Sequence, residues 1–150
     1  MSSSNNVLDS VNYLYNLYGN LKEEVHSLEN YRIVYTYDKA GNLLKKEKYA
    51  IDSEALFESM DFGYSSEWPD KLTTFTKGGV TNLIEYDSVM KGMPVTIRDQ
   101  ETGAINTRFG WKNRNLIRFE TDSQYYTLFE YDYSGLRTKK QLLIIMLVVL

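Results

Sequence analysis

One pattern constrains this chain more than any other feature. Tyr13-Leu14-Tyr15-Asn16-Leu17-Tyr18-Gly19-Asn20-Leu21 and Tyr35-Thr36-Tyr37-Asp38-Lys39-Ala40-Gly41-Asn42-Leu43 share the form Tyr-x-Tyr-Asx-x-x-Gly-Asn-Leu, 22 residues apart. A third copy is Phe129-Glu130-Tyr131-Asp132-Tyr133-Ser134-Gly135. Weaker copies lie between them. Phe62-Gly63-Tyr64-Ser65 and Phe109-Gly110-Trp111-Lys112 keep the aromatic pair. Ile84-Glu85-Tyr86-Asp87 keeps Tyr-Asp but reaches its glycine late, at Gly92, which leaves its turn in doubt. The copies start at 13, 35, 62, 84, 109 and 129. A self-similar period of this length is the mark of a repeat architecture, in which each unit rests on its neighbours.

Each copy reads as strand, tight turn, strand. Residues two apart on a strand face the same side, so Tyr35 and Tyr37 project together, with Ile33 in the same row. Asp38 then opens the turn. Asx at the first position and glycine at the fourth are type I turn preferences, and the Asx side chain accepts from N–H groups just ahead. Gly19, Gly41 and Gly135 supply positive φ for a G1 bulge. Thirteen tyrosines, six phenylalanines and two tryptophans suit pleated surfaces. The expected fold is all-β: consecutive antiparallel hairpins forming a curved sheet, with aromatic rows side by side. For residues 10–30 a helix competes. Val7, Val11, Leu14, Tyr18, Leu21, Val25 and Leu28 follow heptad spacing, and Asn6 or Ser4 offers a cap. Against it, Gly19 falls mid-segment, and a helix leaves the match of 13–21 to 35–43 unexplained. Ser53–Ser59 is expected to be a long loop with a helical turn. Further turns are expected at Trp68-Pro69-Asp70, Lys77-Gly78-Gly79, Thr102-Gly103 and Thr121-Asp122-Ser123.

The chain resembles the RHS/YD-repeat proteins of bacteria. Five segments carry the resemblance: Tyr35 to Leu44, Phe62 to Leu72, Ile84 to Val95, Arg108 to Leu116 and Tyr126 to Lys139. Their order is similar to the last repeats of a wall-associated or secreted member. The resemblance implies an arc of a hollow hairpin shell. In the family such shells enclose a C-terminal toxin or other effector, and repeats of this type have been linked to carbohydrate binding. The implied partners are the other repeats of the parent shell, its enclosed effector and cell-wall glycans. The implied location of the parent is secreted or cell-surface. Residues 1–9 are expected to fray, 10–140 to form the repeat region, and 141–150 to be an apolar tail. The run Gln141 to Leu150 lacks the polar alternation of the preceding strands. A frameshifted or prematurely ended reading frame accounts for it; a terminal buried strand is the alternative.

Residues that carry chemistry are sparse. With no cysteine, thiol catalysis, disulfides and thiolate metal sites are excluded. His26 is the only histidine, has no nucleophile motif to serve, and reads as a surface residue beside Glu23 and Glu24. Asp52, Glu54, Glu58 and Asp61 lack the loop of a calcium site and read as solvated. Lys45, Lys46 and Lys48 read as a solvated strand face, and a net charge of -3 gives no nucleic-acid footprint. Residues 1–6 have no basic and apolar regions of a signal peptide, and Leu142–Leu150 is far shorter than the roughly 20 residues of a membrane helix. No catalytic, cofactor-binding or metal residue is therefore assigned. The repeat residues Tyr13, Tyr15, Asn16, Gly19, Tyr35, Tyr37, Asp38, Gly41, Phe62, Tyr64, Tyr86, Asp87, Phe109, Trp111, Phe129, Tyr131, Asp132 and Gly135 are assigned a structural role. A scaffold segment is the leading expectation; a carbohydrate- or wall-binding module is the second.

Overall fold

A computed structural model describes residues 10–121 and 125–144. They form twelve strands and no helix: β1 (Val11–Tyr15), β2 (Leu21–His26), β3 (Tyr31–Tyr37), β4 (Leu43–Ala50), β5 (Leu56–Tyr64), β6 (Leu72–Lys77), β7 (Val80–Tyr86), β8 (Pro94–Asp99), β9 (Ile105–Lys112), β10 (Asn115–Thr121), β11 (Tyr125–Tyr131) and β12 (Arg137–Ile144). The chain divides into two compact units. One runs to Gly63 and includes Phe75–Gly79; the other comprises Tyr64–Thr74 and the chain from Val80 onward. In the first, β1 to β5 lie side by side in chain order, each antiparallel to the next. In the second, β7 to β12 do the same. The all-β, consecutive-hairpin fold expected from the repeat is what the chain adopts, and residues 11–26 are a hairpin rather than a helix.

Burial is shallow throughout. Among the described residues Ala50 is the one buried apolar residue, and no large side chain is fully enclosed. A sheet without a second layer cannot rely on a conventional core, so cover must come from neighbours in the same plane. The most enclosed polar residues are Asn82, Thr107 and Thr127. Each stands two positions before the start of a repeat copy, at 84, 109 and 129, and hence on the same face as its aromatics.

The turns explain why the copies fold locally as they do. Asp38 N–H donates to the Asn42 carbonyl and Gly41 N–H to the Asp38 carbonyl. The Asp38 carboxylate accepts from the N–H groups of Ala40 and Asn42 and from the Asn42 side-chain amide. Asn16 and Asp132 repeat the arrangement with Gly19 and Gly135. Asp87 closes the doubtful copy through a longer loop, donating to the Met93 carbonyl while its carboxylate takes Val89 and Met90 N–H. Ser65 fills the same place with its hydroxyl. Trp111-Lys112 has no Asx, and Asn113 and Arg114 both take positive φ, the signature of a two-residue type I′ turn.

Beyond each of five turns the return strand carries one extra residue: Lys22, Leu44, Val95, Ile117 and Thr138. A bulge breaks the ladder locally and increases twist. Its recurrence at one place in five hairpins makes it part of the repeat.

One expectation needs correction, and others fall wholly or partly outside the described residues. Ser53–Ser59 is not a helical loop: β5 begins at Leu56, and the chain reverses before it, with Glu54 at φ 54°. The apolar tail starts as part of β12, with Leu142 opposite Thr127 and Leu143 opposite Tyr126. Residues 1–9 and 145–150, and the expected turn at Asp122-Ser123, lie outside the described residues.

Gly41 sits at φ +92° with the Asn20 side-chain amide nitrogen 3.9 Å from the position a Cβ would take, and Gly135 sits at φ +84° with no atom within 4 Å of that position. Gly135→Ala is therefore a pure test of backbone strain. It should lower unfolding stability by about 1–2 kcal/mol, measured by urea denaturation, without changing the circular dichroism of the folded state.

Candidate functional site

The two aromatics of each copy do different work. The second one reaches back to the preceding hairpin. The Tyr37 hydroxyl donates to the Leu21 carbonyl at 2.8 Å, Tyr86 to Leu72 at 2.6 Å and Tyr131 to Leu116 at 2.9 Å. Trp111 does the same through its indole N–H, to the Pro94 carbonyl at 2.6 Å. In all four, the acceptor is the residue where the preceding return strand begins or nearly begins. In three, the bulge residue follows immediately: Lys22, Val95 and Ile117. The bulge interrupts the ladder beside the carbonyl that takes the ring donor. These four contacts are here called locks. Burial raises the ionisation of Tyr37 and of Tyr86 above the ordinary phenol value, which keeps both as donors.

The first aromatic lies on the same face and meets charge. In the first unit, Tyr31, Ile33, Tyr35 and Tyr37 of β3 share a face. β4 sets Lys48 opposite Ile33 and Lys46 opposite Tyr35, and β2 sets Glu24 opposite Ile33 and His26 opposite Tyr31. The Tyr35 hydroxyl donates to Glu24 at 2.7 Å. Lys48 lies 3.6 Å from the Tyr31 ring centre and Lys46 lies 5.8 Å from that of Tyr35, within cation–π range. His26 stacks on Tyr31 with centroids 4.3 Å apart and its Nε2 lies 3.3 Å from Glu24. The expectation of ring beside ring between copies is replaced here by an alternation of rings with charged groups, because a return strand stands between successive aromatic strands. Lys46, Lys48 and His26 are thus half-buried partners of tyrosines rather than a solvated face.

The second unit continues the theme with fewer charges. Phe109 packs on Phe119 at 5.5 Å, and the Arg137 guanidinium lies 5.4 Å from the Phe129 ring. The opposite face carries ion pairs such as Arg98–Glu85 at 2.7 Å and Lys139–Glu130 at 2.9 Å, which solvent screens because they are exposed.

The remaining assigned residues fall into place around these contacts. Asn16, Asp38, Asp87 and Asp132 hold turns, with Gly19, Gly41 and Gly135 beside them. Tyr13 and Tyr15 stand on β1, more than half exposed. Phe62 and Tyr64 are on β5. The acidic stretch is dispersed: Glu54 pairs with Arg32, Glu58 with Lys77 and Asp61 with Lys45. No group of three metal-capable side chains occurs among the described residues, and no helix is long and apolar enough to cross a membrane.

The turn carboxylates of Asp38, Asp87, Asp99 and Asp132 are held below the ordinary aspartate value by the hydrogen bonds they accept, led respectively by the Asn42 amide, Met90 N–H, Thr102 N–H and the Ser134 hydroxyl. Asp99 is an Asx turn that the repeat pattern did not single out; it accepts Glu101 and Thr102 N–H between copies. Burial pushes Glu24 up, but hydrogen bonds from Tyr35 and His26 outweigh it and its carboxyl ends below the ordinary value. Burial, then the Glu24 hydrogen bond, raises Tyr35 above the ordinary phenol range.

The chain matches no family model and no curated protein.

Tyr37→Phe and Tyr131→Phe each remove one lock hydroxyl and keep the ring. Each should cost about 0.5–1.5 kcal/mol of stability in urea unfolding, whereas Tyr18→Phe, at a 90% exposed residue, should cost nothing measurable. Tyr35 contributes stability that is complete below the unfolded phenol value of about 10 and is lost as pH rises through its higher folded value. Glu24→Gln should bring the Tyr35 titration midpoint down, read by NMR. The turn aspartates act in the opposite sense: their contribution is present above an unfolded value of about 4 and disappears as pH falls through the lower folded values.

Proposed function

We propose that this chain is a structural repeat segment of an RHS/YD-type shell, whose parent protein encloses or presents a toxin in bacterial competition. The observation that carries the proposal is the periodic linkage of hairpin to hairpin. An Asx or Ser turn, a bulge and an aromatic lock recur along the chain, and the residues that recur are spent on joining neighbours. A scaffold needs this and nothing more. The parent would act at the cell surface or after secretion. The segment's partners would be the adjoining repeats and the enclosed effector.

The test is the DNA downstream of codon 150. The expected result is sequence that encodes further hairpin repeats followed by an effector domain. A downstream region without such repeats, together with hydrolytic or nuclease activity in the purified chain, would overturn the proposal.

One observation favours a second reading, a carbohydrate- or wall-binding module. Tyr18 is 90% exposed, and it lines an open groove of about 860 Å³ in the first unit together with Asn16, Asn20, Lys22, Tyr37 and Asp38. An exposed ring flanked by amides is the surface on which a sugar stacks. Tyr37 would be a poor probe, since it is a lock. Tyr18→Ala should leave the fold intact and abolish peptidoglycan retention if this reading holds; equal retention by both proteins, or none by either, excludes it.

A further inference from the structure

The locks form a series with an unused donor at one end and an unused position at the other. Tyr15 is the second aromatic of its copy, equivalent to Tyr37, Tyr86, Trp111 and Tyr131. It stands on β1, an edge strand, is 62% exposed, and its hydroxyl has no partner among the described residues. The other edge strand is β12. Arg137 opens β12 as Leu21 opens β2 and Leu116 lies beside the start of β10, and the bulge residue Thr138 follows it as Lys22 and Ile117 follow theirs. Arg137 therefore occupies the acceptor place of a lock.

We propose that these are the two halves of one contact, and that the protein associates head to tail with a second copy of itself. β1 of one molecule pairs antiparallel with β12 of the next, and the Tyr15 hydroxyl donates to the Arg137 carbonyl. This goes beyond the shell reading and does not depend on it, since it needs only the lock geometry.

The register follows from the internal examples. Continuing the pairing of β2 with β3, β8 with β9 and β10 with β11 places each acceptor opposite the residue just before its donor: Leu21 opposite Thr36, Pro94 opposite Gly110 and Leu116 opposite Glu130. The same rule sets Arg137 opposite Leu14, Thr138 opposite Tyr13 and Lys139 opposite Asn12. Charge selects this pairing over the symmetric ones. β1 carries no charge, whereas β12 carries Arg137, Lys139 and Lys140 near its start. Two β12 strands would oppose like charges. Two β1 strands would bring two donors and no lock acceptor. In the head-to-tail pair the uncharged β1 stands beside the cationic start of β12, so no like charges are opposed. Because the two surfaces differ, the contact is heterologous.

The chain has no cysteine, so paired single-cysteine variants report the register without background. Asn12→Cys and Lys139→Cys proteins, one tagged, are mixed and oxidised. The expected product is the mixed disulfide in excess over both same-site disulfides, because directly opposed Cβ atoms lie within bridging range. Asn12→Cys mixed with Lys140→Cys, one residue out of register and on the other face, should give no such excess. In parallel, sedimentation of the unmodified chain should show a mean mass that rises above that of the monomer with concentration. Tyr15→Phe should weaken this association about two- to tenfold, the equivalent of one neutral hydrogen bond. A chain that stays monomeric, an excess of either same-site disulfide, or association unchanged in Tyr15→Phe would overturn the proposal.

Discussion

Everything in each unit depends on how its sheet of strands holds together when almost no apolar side chain among the described residues is buried. No large side chain is fully enclosed among the described residues. The hydrophobic term that stabilises a two-layer domain is therefore small here, and each hairpin must be stabilised sideways. The phenol-to-carbonyl lock does this at a specific atom. It satisfies a backbone acceptor beside a bulge, where the ladder is broken, and it ties the aromatic side chain to the neighbouring return strand. Strand pairing alone would tolerate slippage on a surface with so little buried area. The lock penalises a slip by removing its acceptor.

The repeat unit was legible in the sequence to a good depth. Period-two aromatics and Asx-x-x-Gly spacing located the strands and the turns, because both signals are local. Gly19 mid-segment ruled against a helix for residues 11–26, and a hairpin stands there. Local chemistry also explains the misses. The turn at Asp87 was in doubt because its glycine comes late, yet the carboxylate captures two N–H groups, those of Val89 and Met90, from a longer loop. Ser53–Ser59 looked helical because Glu-Ala-Leu-Phe-Glu is a good helix sequence, and pairing of β5 with β4 overrode that propensity.

What the sequence did not reveal is non-local. The lock acceptor is a backbone carbonyl 14 to 17 positions upstream, and carbonyls have no letter in a sequence. The one available signal was the mixed identity of the second aromatic. Tyr37, Tyr86, Trp111 and Tyr131 all carry a polar hydrogen, whereas the first position accepts Phe and Ile. Likewise, Lys46, Lys48 and His26 looked like an ordinary solvated face until the register set them over Tyr35 and Tyr31. Interleaving rings with charges also spreads the electrostatics of the first unit across pH: carboxylates and phenols titrate at opposite ends of the scale, leaving a broad neutral range in which both are in their bonded forms.

The bulge and lock together shift the boundary of the module. By sequence, a unit is one hairpin, from Tyr to the end of its return strand. By cohesion, a unit is a return strand and the outgoing strand that follows it, for instance β2 with β3 or β10 with β11, since that pair contains both lock partners. The two descriptions are half a period out of phase. A duplication or deletion of one whole period, wherever its breakpoints fall, therefore regenerates every lock and leaves none orphaned, whereas an insertion of half a period would leave a hydroxyl without its carbonyl. Arrays of this kind are free to change length by whole steps under selection, and the chemistry that joins the steps never has to be reinvented.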